Sequence, residues 1–266
     1  DRSRGLGDVY KRQGCTLKLT GGCITDCRAT DTGGGGVDLR GSTAILYISG
    51  TARIENCTAG EVWGANAIFN SGTMYADGGT VDGTVNNQGT IKHSNGVTDV
   101  TVFNEAVYNR AKKIIETGIY KGTVENRGSI TGGTFYGGVT DDGGTIRGGT
   151  FAVTFDIGDG TKTEPTLVEY NNPVPERAAP TKSGHTFTGW YLGEEKYNFD
   201  TPVTAPLTLT AKWEKVPSSG GYYYYPTTDT KADDAKGSPK TADPGIALYA
   251  ALSLLSLTGL TCTTKK

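Results

Sequence analysis

Asp141, Asp142 and Arg147 are the closest grouping of acid–base side chains in this 266-residue chain. An Arg can take the proton α to a carboxylate in a β-elimination, and neighbouring carboxylates can hold the Ca²⁺ that such chemistry often uses. The grouping falls, however, on positions matched elsewhere by Asn86-Asn87 and Glu125-Asn126, a pattern that reads as solvated turns. Asp82 and Asp99 are isolated, and Asp156, Asp159 and Glu164 lack the oxygen spacing of a Ca²⁺ loop. No catalytic residue, metal ion or cofactor is expected. The five cysteines, Cys15, Cys23, Cys27, Cys57 and Cys262, form neither a disulfide framework nor a zinc-knuckle spacing.

A different chemistry is carried by 238–266. Pro239-Lys240-Thr241 precedes an uncharged apolar run, 246–260, and two terminal lysines. As a helix, 245–264 would reach roughly 30 Å, about one bilayer core. The order of parts resembles the cell-wall sorting signal of Gram-positive surface proteins, a Leu-Pro-x-Thr-Gly-like pentapeptide followed by a hydrophobic segment and a basic stop. Pro239, Lys240 and Thr241 fit it, while Ser238 stands where Leu is usual and Ala242 where Gly is usual. The resemblance implies that a sortase cuts between Thr241 and Ala242 and joins the Thr241 carbonyl to a peptidoglycan amine. Until then the apolar segment would sit in the membrane. An uncut membrane anchor is the alternative, and either reading puts the upstream residues outside the cell.

Composition narrows what those residues are. Forty glycines and 35% hydrophobic residues argue against one large α/β core, and the Gly/Thr/Val/Ile tracts favour strands with many turns. A net charge of -2 supplies no basic surface for phosphate neutralisation, so a nucleic-acid partner is excluded. Residues 1–13 share neither repeat nor alternation with the rest of the chain. Ser3 to Gln13 looks like the translation of a transposon-end adapter from sequencing libraries, which would make 1–13 an assembly scar. An export signal is then expected upstream of Gly14.

Residues 14–151 repeat. Ile24 and Cys27 recur as Ile54 and Cys57, each 30 residues on. Val85 to Ile91, Val124 to Ile130 and Val139 to Ile146 share one template of Val, a polar Gly-containing turn and Ile, followed by Gly-x-aromatic at Tyr120, Phe135 and Phe151. The aromatic spacings of 15 and 16 suggest that two short units make one long unit. Within 102–120, Val107, Ala111, Ile114 and Ile115 could line a helix, but aligning Asn109-Arg110 on Asn126-Arg127 makes the segment strand–turn–strand. No unit can bury an apolar face alone, so stacking is required, with rungs about 4.8 Å apart.

This region resembles right-handed parallel β-helix repeats of the pectin-lyase-like kind. Some β-helices of that kind are polysaccharide lyases, so the resemblance keeps open a surface-anchored carbohydrate-active or glycan-binding protein whose active rungs lie upstream. Cys27 and Cys57 would stack on adjacent rungs, either as buried thiols or, in an oxidising compartment, as a disulfide.

At 152–214 the pattern changes to Val153-Thr-Phe-Asp156, spaced prolines, Phe187-Thr-Gly189-Trp190 and Leu207-Thr-Leu-Thr-Ala211-Lys212-Trp213. These marks are similar to those of the Listeria–Bacteroides repeat family of Gram-positive surface proteins, which implies a β-grasp-like fold. Phe187, Trp190, Phe199 and Trp213 are its expected core aromatics, and Trp190 beside Tyr191 reads as core rather than as a sugar-stacking platform. Residues 215–237, with Tyr222 to Tyr225 and no apolar period, read as a disordered spacer.

The expected whole is mainly all-β: a β-solenoid, a β-grasp-like module, a spacer and a C-terminal hydrophobic helix. The function expected is that of a non-enzymatic adhesin or structural stalk at the cell wall. Its partners would be sortase, peptidoglycan and a host or glycan ligand.

Overall fold

Three inward columns hold the first part of the chain together, and the sequence repeat is what stacks them. In a computed structural model, which describes residues 9–11, 14–29, 33–60 and 65–217, every described element is a strand. Each turn of the coil contributes a short strand to each of three faces. Val37, Ile68, Val85, Val107, Val124 and Val139 are in parallel register on the first face. Leu17, Leu46, Met74, Ile91, Ile115, Ile130 and Ile146 align on the second. Ile24, Ile54, Val81, Phe103, Tyr120, Phe135 and Phe151 align on the third. This is a parallel β-solenoid, and nearly all of these side chains between Val37 and Phe135 are removed from water.

The register corrects the repeat unit read from the sequence. Val124 to Val139 is one full turn of the coil, and so is Val37 to Ile68. The longer unit is therefore one coil with long strands, not two short coils. Ile45–Glu55 and Thr73–Val81 each run across the second and third faces, and Thr58–Ala59 pairs with Arg28–Ala29 at an added corner. Residues 102–120 form four strands with no helix, and Lys112 takes a left-handed turn conformation (φ 64) between two of them. Val9–Lys11 pairs its backbone with Val37–Leu39.

The solvated-turn reading of Asn86-Asn87 and Glu125-Asn126 is also corrected, because each pair places an asparagine inside. Asn70, Asn87, Asn109 and Asn126 stack in register on the first face, all at most 1% exposed, with Asp141 next in line. Each Nδ2 donates to the next rung's side-chain oxygen, at 2.8 Å for the three amide pairs and 2.7 Å for Asn126 to Asp141. Asn70, Asn87 and Asn126 also accept the amide of the glycine two residues on. A buried amide is tolerated because its donors and acceptors are used. All four amides point the same way, so the row ends where only an acceptor is needed, and a carboxylate stands there. A glycine is required beside this ladder: a Cβ on Gly128 would lie 2.2 Å from the Lys113 carbonyl and 2.7 Å from Asn109 Nδ2.

The third face ends in a five-ring column. Phe103, Tyr120, Phe135 and Phe151 have centroids 4.9, 4.9 and 5.2 Å apart, and Tyr170 follows at 6.2 Å. The buried Tyr120 hydroxyl donates to the Thr117 carbonyl at 2.6 Å, which satisfies the polar atom in this apolar column.

Strand Thr150–Asp156 belongs to both halves of the described chain. Its first residues pair with Thr134–Phe135 of the last rung, while Val153 to Asp156 pair in parallel with Leu207 to Thr210. Thr166–Glu169 pairs antiparallel along its other edge, covering what would be an open ladder. His185–Leu192 and Glu195–Lys196 complete a mixed sheet with two parallel central strands, the β-grasp-like order. Residues 170–184 carry no helix among the described residues. Trp190 is buried against Phe155 (4.8 Å) and Phe187 (5.4 Å), and half-buried Trp213 packs on Phe187 and donates to the Ile157 carbonyl at 2.7 Å. Phe199 is half-buried against Tyr197.

Residues from 218 onward lie outside the described residues. They include most of the spacer, the sorting motif 238–242, the apolar run 246–260 and Cys262.

Candidate functional site

The corner between the second and third faces is forced to be glycine-rich, and that leaves a trough along the coil. Gly118, Gly133 and Gly149 occupy equivalent corners with φ of 121, 104 and 106, in the region that favours glycine. A Cβ on Gly133 would also meet the Tyr120 and Phe135 rings at 3.1 and 3.2 Å. The glycines are thus explained by packing, and the bare backbone they expose is a consequence. One groove of about 530 Å³ runs over Gly118, Gly133 and Gly149, and another of about 440 Å³ over Gly50, Gly78 and Gly79; both touch Val100. The loop 93–101, exposed over 95–99, stands at the same corner between the two grooves, so the larger one spans three rungs, about 10 Å at the ladder spacing.

Its walls carry exposed charges of both signs. Asp99 and Arg53 line the smaller groove, and Glu116, Arg147 and Glu169 the larger, with Tyr170 beside them. Arg53 is already ion-paired with Glu55. Bidentate guanidinium and carboxylate groups over a polar backbone floor suit hydroxyl-rich ligands, which need donors and acceptors together.

Three residues beneath the trough stand in the order acid, imidazole, hydroxyl, the order of a nucleophile-activating relay. Asp77 Oδ1 is 3.6 Å from His93 Nδ1, and His93 Nε2 meets Thr117 Oγ1. The relay is broken at its first link. Asp77 accepts from Ser94 N at 2.8 Å and Ser94 Oγ at 2.5 Å, and His93 Nδ1 has no hydrogen-bond partner. Thr117 is 3% exposed, too enclosed to attack a substrate. The set holds a corner together.

The grouping found in the sequence is split up by the fold. Asp142 pairs with Arg127 at 2.6 Å, Asp141 ends the asparagine row, and Arg147 lines the trough. Asp82 contacts Asn104, and Asp156 accepts the Gly158 amide. Among the described residues no three His, Cys, Asp or Glu side chains gather as a metal site. The two pKa shifts on exposed carboxylates are local: backbone hydrogen bonding from Thr161 lowers Asp159, and the Lys212 side chain lowers Glu194. Trp190 points into the module core, while Tyr191 sits under the Lys212 ammonium at 4.6 Å, so the two rings do not form one platform. Sequence reasoning missed Glu116, on a turn of the coil, and Glu169 and Tyr170, at the end of the strand Thr166–Glu169. The signal that could have found them was the glycine recurrence at 118, 133 and 149.

Residues 151–212 match the Listeria-Bacteroides repeat domain. The segment therefore spans the strands that follow the last rung. Among similar proteins, one from Evansella cellulosilytica, named as a Gly-rich membrane protein, is 37% identical over 24% of this chain. A second membrane protein of that organism is 36% identical over 24%, and Internalin H of Listeria monocytogenes is 34% identical over 33%. The matches cover 8%, 10% and 16% of those proteins, so this chain spans a small part of their length.

Proposed function

We propose that this chain is a surface protein of a Gram-positive envelope, a non-enzymatic stalk or adhesin that sortase joins to peptidoglycan through Thr241. The observation that carries the reading is the strand Thr150–Asp156, shared by the solenoid and the repeat-domain module. A module that matches the Listeria-Bacteroides repeat domain is here built as the end piece of a rigid coil, in a chain that is similar over part of its length to Internalin H and to a membrane protein. Such a coil resists bending because every rung is hydrogen-bonded to the next, which is what a spacer above a cell wall needs. The sorting motif supplies the attachment: the Thr241–Ala242 peptide bond breaks, and the Thr241 carbonyl passes by way of sortase to an amine of the wall. The apolar run holds the chain in the membrane until that exchange.

The trough favours the glycan-binding form of this reading over a bare stalk. A linear, uncharged glycan would lie along its floor, with Glu116, Glu169 and Arg147 taking hydroxyl hydrogen bonds. A glycan array tests this with the full chain and with Arg147→Ala. Retention of linear glycans, weakened about tenfold or more by the substitution, is the expected result. Release of unsaturated uronate from any array ligand would replace the binding reading with the lyase one.

A further inference from the structure

We propose that Cys27 and Cys57 form an oxidation site that closes a disulfide between consecutive turns of the solenoid. The register fixes the pair from both sides. Ile24 is opposite Ile54 and Arg28 is opposite Thr58, so the two cysteines are level with each other, and the Thr58 amide donates to the Cys27 carbonyl at 2.9 Å. Parallel neighbours at the ladder spacing of about 4.8 Å fall inside the Cα separation a disulfide accepts. The Cys57 thiol reaches the Ile24 carbonyl of the neighbouring turn at 3.8 Å, and its electrostatic partners include the Cys27 thiol. Both residues are about nineteen-twentieths buried, at 6% and 5% exposed, among the apolar side chains of the core. Cys15 and Cys23 are exposed.

That enclosure shapes the chemistry. Burial pushes the Cys57 thiol up to about 11, so little thiolate exists near neutrality and bulky reagents are kept out. Hydrogen peroxide is small enough to enter, but it oxidises the thiolate, so closure is slow at neutral pH and quickens as pH rises toward 11. One sulfur takes an oxygen from hydrogen peroxide to give a sulfenic acid and one water. The neighbouring thiol then displaces the hydroxyl as a second water, and the sulfur–sulfur bond forms. Two thiols and one peroxide give one disulfide and two waters. The bond rests on the rung geometry and is independent of how the chain is anchored.

The full chain, reduced, is treated with dilute hydrogen peroxide and unfolded. Its remaining thiols are then alkylated and its peptides mapped by mass spectrometry. The expected product is a Cys27–Cys57 linked peptide pair lacking two hydrogens, with a rise in unfolding temperature that reductant reverses. Cys57→Ser should show neither change. Recovery of Cys27 and Cys57 as alkylated thiols, or their linkage to Cys15, Cys23 or Cys262, would overturn the proposal. The mapping of the unsubstituted chain decides the matter even if the variant folds poorly.

Discussion

Replacing Asn109 with leucine should lower the unfolding free energy by about 3 kcal/mol, although leucine is the more apolar side chain. Asn109 accepts from Asn87 and donates to Asn126, each at 2.8 Å, inside a core where neither neighbour can turn to water. Leucine removes both bonds and leaves the facing amide atoms partly unsatisfied, at about 1–3 kcal/mol for each such group. Asn109→Asp should be worse at neutral pH. A carboxylate cannot donate to Asn126 Oδ1, and it would be a buried charge facing an oxygen. Burial raises the folded pKa of the new carboxyl above its unfolded value of about 3.9, so the folded state holds the extra proton. Stability of Asn109→Asp relative to the parent is therefore greatest at low pH, and is lost as pH rises past about 4 toward the folded pKa. Urea midpoints across pH check the sign. The natural chain places its carboxylate, Asp141, at the acceptor end of the row, where no donor is needed.

Phe135→Ala should cost about 4 kcal/mol and should also split the unfolding transition. Phe135 is fully buried, with Tyr120 on one side at 4.9 Å and Phe151 on the other at 5.2 Å. Phe151 lies on the strand that begins the module, so the ring column is the apolar link between the last rungs and the sheet beyond. In a stacked array stability is close to a sum of nearest-neighbour terms, and a cavity at one interface weakens that interface most. Trp190 and Trp213 report the module in a Trp63→Phe background. Their fluorescence transition is expected to separate from the loss of far-ultraviolet β signal in Phe135→Ala and to coincide with it in the parent.

The apolar columns were legible in the sequence because a solenoid repeats its inward residues. Val85, Val124 and Val139 announce one face, and Ile91, Ile130 and Ile146 the next. Alignment, not periodicity, resolved 102–120, since four apolar positions there fit a helix as well as two turns. The length of a coil was misread because strands such as Ile45–Glu55 absorb extra residues without adding a rung. The asparagine row was missed for a different reason. An asparagine beside glycine has the composition of a solvated turn, and only the register reveals that its amide meets another amide and not water. The trough was illegible because its walls come from turns separated by unequal numbers of residues. Its glycine floor repeats, but glycine alone does not distinguish a tight corner from an open one.

The wall-anchored reading stands or falls on the chain's C-terminus in the cell. Protein released from purified cell walls by muramidase should end at Thr241, with its carbonyl joined to a peptidoglycan fragment and residues 242–266 gone. Recovery of the chain only from membranes, with Lys266 still its last residue, would contradict covalent attachment and leave the apolar segment as a permanent anchor.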